Sequence, residues 1–369
     1  MTEVMKNHQS TVYLVCGSGG VGKTTMSAAL GMKYAIEGKK AIVLTIDPAR
    51  RLASSLGIDK LAETPVNIKL PDAGTRGEMW AMMLDTKQTF DQLVERYTPS
   101  QEAVQSIINN QMYQHMSQML AGTQEYMAME KLHEIHQTNE YDVIVLDTPP
   151  MQNAVEFLAA PQRMINMLDN SMLQMLLKPT LFVSKSGFKL LEKGTKQIFK
   201  VLDRIAGLAF LQELSDMFVL LSDLMGGFRT RADTVRILMS DPSCRFISVC
   251  TTNENSIAET RQFKTYLDQL DYRLDKVIVN RVYANREMPE SIPPKDRKEL
   301  GDQVGDTDAN LLVATYEQFV PLIQQDLARI KELGGFFGDR AMASIPLYLS
   351  DVHDLDGLST IAHALNEAF

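Results

Sequence analysis

Eight residues near the start of the chain constrain its fold more than any others. Gly17-Ser18-Gly19-Gly20-Val21-Gly22-Lys23-Thr24 fits G-x-x-x-x-G-K-[ST], follows the apolar run Thr11 to Cys16, and opens onto a helical pattern from Thr24 to Ile36. A β-branched apolar run, a glycine turn and a helix in that order form one unit of a parallel sheet. Glycines let successive backbone N–H groups converge on phosphate oxygens, and the helix N-terminus adds a partial positive charge. In such a loop Lys23 neutralises the β- and γ-phosphates and the Thr24 hydroxyl sits on Mg2+. The run from Gly17 to Thr25 therefore predicts a nucleoside triphosphate site, with ATP as the expected ligand and Mg2+ as its cofactor. Gly17, Gly19 and Gly22 also satisfy G-x-G-x-x-G, and Asp47 closes the second strand where a dinucleotide fold keeps its ribose-binding acid. Lys23 and Thr24 weigh against that reading, because a pyrophosphate-only site has no use for a Mg2+ hydroxyl. A dinucleotide-binding oxidoreductase remains the alternative from another class.

Two acids extend the site. Asp147 ends the run YDVIVLD and precedes Thr148-Pro149-Pro150; a carboxylate at the end of a core strand beside a phosphate loop holds Mg2+ through its waters. Asp47 ends AIVLTID and precedes Pro48-Ala49-Arg50-Arg51. Open α/β sheets gather ligands at the carboxyl ends of their strands, so Asp47 points to the same crevice, with the role of orienting and deprotonating a water. An acidic turn residue at 147 and a helix cap at 47 are the plain structural readings of the same positions.

Further apolar runs, Ala41 to Ile46, Tyr141 to Leu146, Phe246 to Cys250, Lys276 to Val279 and the weaker Met79 to Leu84, alternate with helical patterns at Ser256 to Leu270, Leu311 to Leu333 and Leu358 to Ala368. This alternation predicts an α/β, doubly wound, mostly parallel sheet in a single domain over residues 1–369. Helical periodicity runs on over residues 100–137 and 154–239 with few strand signals, predicting a helical lobe inserted around the strand that ends at Asp147. Tyr283 to Asn310, charged and rich in Pro and Gly, reads as a surface excursion.

Composition narrows the function classes. A net charge of -9 argues against non-specific nucleic-acid binding. No apolar stretch is long and uncharged enough to span a bilayer; the richest, Val201 to Met225, carries Asp203, Arg204, Glu213, Asp216 and Asp223. The first ten residues lack the apolar core of a secretion signal, and Cys16, Cys244 and Cys250 are too scattered for a disulfide framework, so a reducing cytoplasm is the expected compartment, with peripheral membrane association left open.

With the loop, Asp47-Pro48-Ala49 and Asp147-Thr148-Pro149-Pro150 in place, the chain resembles the arsenical-pump and tail-anchored-protein-targeting ATPases, a branch of the deviant-phosphate-loop ATPases, over nearly its whole length. That family's second-switch pattern is matched by DTPPMQNAVEFLAAP, its adenine-recognition segment by IVNRVY, and its base-covering loop by SIPLYLSDVHDLDGL. The resemblance implies a nucleotide-gated dimer, with Thr24 on Mg2+, Asp47 on the attacking water, Asp147 supporting the metal, Asn280 reading adenine and Pro346 in the loop over the base. It also implies a homodimer or a heterodimer with a paralogous subunit, and a hydrophobic client or a membrane protein as partner. Two departures stand out. Ser18 replaces a lysine that reaches the partner subunit's phosphates in that family, which leaves Arg50 or Arg51 as the nearest substitute cation by sequence. Tyr283 to Asn310 also lacks the Cys-x-x-Cys zinc clasp of the targeting branch, and the three cysteines offer no trigonal thiolate site for a metalloid, which disfavours the alternative of an efflux-pump subunit.

Thirteen of the 22 methionines fall between Met112 and Met239, so the helical region is where an adaptable apolar surface is expected. Met112, Met116 and Met119 share a helical face, as do Met164, Leu168, Met172 and Met175. Core filling and a client groove both account for them.

Overall fold

A computed structural model describes residues 10–46, 51–58, 61–70, 76–98, 100–110, 113–114, 123–169, 222–283, 291–338, 341–348 and 351–368. Within them the apolar runs become strands of one sheet: β1 (Thr11–Gly17), β2 (Lys40–Thr45), β3 (Val66–Ile68), β4 (Glu78–Met83), β5 (Val143–Asp147), β6 (Cys244–Cys250), β7 (Leu274–Val282) and β8 (Met342–Pro346). Their order is β3-β4-β2-β5-β1-β6-β7-β8. The six strands from β2 to β8 in that order pair in parallel, and β3 pairs antiparallel with β4. The doubly wound, mostly parallel α/β sheet read from the sequence is therefore present.

Parallel central strands are buried on both faces, which explains the unbroken apolar runs. Val12, Leu14, Ile42, Leu44, Ile144, Leu146, Phe246 and Ile247 are all fully buried. The chain leaves β1 toward β2 and β5 on one side and returns to β6 on the other, so the sheet reverses at β1. That reversal opens a crevice at the carboxyl end of β1, where the glycine loop lies. Helix α1 (Lys23–Ile36) then runs back over β1, β2 and β5, burying Met26, Ala28, Ala29, Leu30, Met32 and Ala35.

The chain divides into two compact units. One comprises residues 1–82, 141–152 and 242–369 and contains nearly all of the sheet; the other comprises 83–140 and 153–241. The described part of the second unit is helical: α3 (Thr86–Tyr97), α4 (Gln101–Ile108), α5 (Thr123–Thr138), most of α6 (Met151–Leu168) and α7 (Ser222–Ser240). Its interior holds Val94, Val104, Met127, Met129, Leu132, Phe157 and Met239. The three methionines among these fill core. Met112, Met116, Met119, Met172 and Met175 lie outside the described residues, as does the side chain of Met164.

Two strands went unread in the sequence. β3 is short and half exposed, and β8 is an edge strand whose inward face is only Ala343 and Ile345. The charged excursion after Tyr283 holds a helix, α8 (Pro294–Val304), with no buried residue, and α9 (Asp306–Phe337) begins almost at once after it. Among the described residues no helix is long and apolar enough to cross a membrane.

Candidate functional site

The glycine loop turns from β1 into α1 in a backbone shape that other residues do not tolerate. Gly22 caps α1 in the left-handed conformation, φ 96° and ψ 24°, with no side-chain hydrogen bond to the helix. A Cβ there would lie 2.4 Å from Asn280 Nδ2, and one at Gly17 would lie 2.2 Å from the Val249 carbonyl oxygen. Both glycines are therefore required by backbone conformation and close approach. A helix start without a side-chain cap directs the N–H groups of its first turn at whatever anion occupies the loop. Gly19 and Gly20 are exposed, with open space where a Cβ would be, so that side of the loop is bare backbone.

Lys23, the first residue of α1, is 8% exposed and its ammonium donates to the Ser18 carbonyl at 2.8 Å, folding it back over the loop. Thr24 and Thr25 follow in the same turn, both half-buried, and Val21 is buried beneath. Ser18 donates its hydroxyl to Glu259 of the helix Glu254–Gln269.

Asp147 ends β5 beside this turn and is 1% exposed. Its carboxylate accepts from Thr45 Oγ1 at 3.0 Å and Ser27 Oγ at 3.4 Å, one hydroxyl from the end of β2 and one from α1. These two hydroxyls are supporting groups that sequence reading missed; Ser27, four residues after Lys23, is the one whose spacing could have shown it. Thr148 donates to the Val15 carbonyl at 2.9 Å, tying the end of β5 to β1. Ile46 continues β2 with its N–H on the Asp147 carbonyl at 3.3 Å. Asp47 and Arg50 lie outside the described residues; Arg51 is exposed at the start of the short helix α2 (Arg51–Ser55), whose Leu52, Ala53 and Ser55 are buried.

Asn280, on β7, is buried and reaches the loop from the far side. Its amide donates to the Val21 carbonyl at 2.8 Å and its oxygen accepts the Arg281 N–H at 2.9 Å. The second amide hydrogen has no partner among the described residues. Pro346 ends β8 opposite Val282, two residues beyond Asn280, and is exposed. The fold thus gathers Gly17 to Thr25, Asp147, Asn280 and Pro346 at the carboxyl ends of β1, β5, β7 and β8.

These residues fit a magnesium-bound triphosphate. An uncapped helix start, a buried ammonium and bare glycine backbone match phosphate oxygens, and a threonine hydroxyl with one buried carboxylate matches Mg2+, which takes few protein ligands and keeps phosphates and waters. Thiol chemistry does not fit. Cys16, Cys244 and Cys250 are all buried in β1 and β6, and burial pushes the Cys16 and Cys250 thiols up to about 12. Among the described residues no group of three His, Cys, Asp or Glu could hold a metal ion.

Known proteins of related sequence are named as ATPases. The model of the anion-transporting ATPase family matches residues 10–304. A putative arsenical pump-driving ATPase of Chlorobaculum tepidum is 26% identical over 284 residues, covering 73% of this chain and 61% of that protein. ATPase ASNA1 homolog 2 of Paramecium tetraurelia is 25% identical over 290 residues, covering 76% and 79%. Putative arsenical pump-driving ATPase 2 of Aquifex aeolicus is 24% identical over 293 residues, covering 78% and 85%. The chain spans about three-fifths of the length of the Chlorobaculum relative and of its counterpart in Prosthecochloris vibrioformis.

Proposed function

The chain belongs to the anion-transporting ATPase family, and on that premise we propose that it binds and hydrolyses Mg-ATP as a nucleotide-gated switch. The observation that carries the reading is the turn at Gly22 and Lys23: a left-handed glycine opens an uncapped helix whose first residue is a buried lysine. Phosphates entering there meet the N–H groups of Gly19 to Thr25. Lys23 exchanges its hold on the Ser18 carbonyl for phosphate oxygens. Thr24 and Asp147 are the residues that would hold Mg2+, whose chemistry is to neutralise charge building on the phosphate oxygens. Asp47 orients the water and accepts its proton. The remaining amide hydrogen of Asn280 and its neighbour Pro346 meet the adenine.

The switch acts in a dimer, with a second copy or a paralogous subunit, and passes its state to a protein partner, a hydrophobic client or a membrane protein. It works in the cytoplasm, at the membrane surface when the partner is there. Metalloid transport is disfavoured by three cysteines buried in two core strands, and dinucleotide oxidoreduction by the family assignment together with Lys23 and Thr24. Asp47→Asn tests the catalytic step. It should bind ATP nearly as the wild type does and turn it over at least ~100-fold more slowly, the scale of losing a general base. Unchanged turnover would make Asp47 a cap and not a base. The ATP-loaded variant is also the bait for partner capture, and sedimentation with and without Mg-ATP reads dimerisation.

A further inference from the structure

Ser18 is held from two sides. Its hydroxyl donates to a Glu259 carboxylate oxygen, 241 residues away in sequence, while its carbonyl accepts the Lys23 ammonium at 2.8 Å. One residue thus links a carboxylate and the phosphate-binding cation.

Glu259 is not a loose surface acid. It lies in the second turn of the helix Glu254–Gln269, whose start is fixed on the end of β6. Asn253 caps that helix by accepting the Asn255 N–H at 2.9 Å, Ser256 Oγ accepts the Thr251 N–H at 3.2 Å, and Ile257, Thr260, Phe263 and Leu267 are buried. Arg329 of α9 bridges Thr252 and Glu254, and Arg261 pairs with Glu332 of the same helix at 2.7 Å. Those arginines neutralise other acids. Among the described residues no cation lies within ion-pair distance of Glu259. Among the described residues, then, that carboxylate stands without a counter-cation, one hydroxyl away from a cradle built for phosphate.

We propose that Glu259 is a charge latch on the phosphate loop, a positioning residue that holds Ser18 and Lys23 in the nucleotide-free arrangement and lowers affinity for the triphosphate. The inference rests on the ATP reading of the loop. Phosphates draw Lys23 off the Ser18 carbonyl and repel the carboxylate, so nucleotide entry and release of Ser18 from the helix become one event. The half-exposed Glu259 side chain has solvent to turn into. The helix Glu254–Gln269, through its arginine contacts with α9, then senses whether the loop is filled.

The sign of the effect separates a latch from a structural bond. Calorimetric titration of Mg-ATP should show Glu259→Gln, which keeps an acceptor for Ser18 and loses the charge, binding about three- to tenfold tighter than wild type at low salt. That gain should shrink toward unity near ~1 M salt, where the screening length falls to about 3 Å. Glu259→Ala should tighten binding at least as much. Adding Ser18→Ala to Glu259→Ala should yield no further gain, since that variant has already lost the one bond through which the two act. Mg-ADP, with less charge, should gain less than Mg-ATP. Lys23→Ala serves as the control in the same titration. If it loses ATP while both folded Glu259 variants bind as wild type or more weakly at every salt concentration, the latch is overturned and the loop reading stands. If Lys23→Ala binds ATP as wild type does, the loop reading fails and the latch falls with it.

Discussion

In the sheet unit, buried Lys23 at the start of α1 and buried Asp147 and Asn280 toward the carboxyl ends of β5 and β7 converge on an open loop. In the helical unit, Glu130 of α5 and Arg231 of α7 are buried just as deeply, both 8% exposed at the side chain, yet they close on each other. Arg231 Nε donates to Glu130 Oε2 at 2.5 Å, and its guanidinium lies 4.3 Å over the ring of Tyr97. A cavity of about 350 Å3 beside them is lined by Arg96, His133 and Glu134 among others, and Arg96 is already paired with Glu134 at 2.7 Å. Burial of a charge therefore does not mark a ligand site by itself. In the first unit the topology leaves the bare backbone of Gly19 and Gly20 exposed, with a buried cation folded over the loop behind it; in the second the two charges pair inside a helix bundle.

The largest effects should divide along this line. Lys23→Ala removes the one buried cation of the loop and should abolish Mg-ATP binding in calorimetry while leaving the urea midpoint almost unchanged. Arg231→Ala should do the reverse. It strands Glu130 and removes the contact with Tyr97, costing about 3 kcal/mol of stability, toward the low end for a broken buried pair because the carboxyl can take up a proton. ATP affinity should hold. If Arg231→Ala abolished ATP binding in a folded protein, or Lys23→Ala unfolded the chain, the contrast between a site and a structural pair would be wrong.

The two kinds of burial also differ in how far the sequence discloses them. Gly22 and Lys23 were readable because loop, strand and helix are contiguous, so spacing alone carries the geometry. Asp147 was readable as the polar end of an apolar run. Glu130 and Arg231 are 101 residues apart, and Ser18 and Glu259 are 241 apart. Pairing of that kind leaves no local trace, since Glu130, Arg231 and Glu259 each look alone like a helix surface charge and Ser18 like an ordinary loop hydroxyl. Thr45 and Ser27 were hidden for the same reason, as ordinary hydroxyls until the fold sets them on Asp147. The central strands were legible through two-sided burial, whereas β3 and β8 lacked that run of apolar residues because an edge strand buries only alternate positions or fewer. The solvent-exposed α8 has no apolar periodicity to read. Methionine content told least, because composition cannot separate buried Met127, Met129 and Met239 from a groove; the positions that bear on a groove, such as Met172 and Met175, lie outside the described residues.

A smaller effect concerns protonation of the helical unit. Burial pushes the Glu130 carboxyl up from its ordinary 4.5 to about 7, against the lowering pull of Arg231. Between those two values the folded chain keeps a proton that the unfolded chain has released. Stability from this group is therefore complete below the lower value and is lost as pH rises through the upper one. Relative to Glu130→Gln, the wild type should lose on the order of 2 kcal/mol of unfolding free energy between about pH 5 and 8. Paired urea titrations across that range measure the difference. A wild type that gains on the variant as pH rises would mean that Arg231 keeps the carboxylate ionised throughout.

The smallest expected effects ask whether the two units unfold as one. Each has a helix capped by a single side chain: Asp85 Oδ1 accepts the Gln88 N–H at 2.9 Å at the start of α3, and Asn253 caps Glu254–Gln269 at the same distance. Replacing either by alanine removes one acceptor from a helix start and should cost about 1 kcal/mol. The two losses are chemically alike, so what differs is where they register. Trp80, the chain's one tryptophan, lies on β4 in the sheet unit and donates to Glu78 at 2.9 Å, so its fluorescence follows that unit. Far-ultraviolet circular dichroism follows the helices of both. With separate units, Asn253→Ala should lower the fluorescence midpoint and Asp85→Ala should leave it in place while shifting an earlier or later circular-dichroism step. Mg-ATP, binding the folded sheet unit, should raise the fluorescence midpoint alone. If both substitutions move both signals equally and ATP raises both together, the chain unfolds in one cooperative step, and a closed pair such as Glu130 and Arg231 supports the nucleotide site through shared stability.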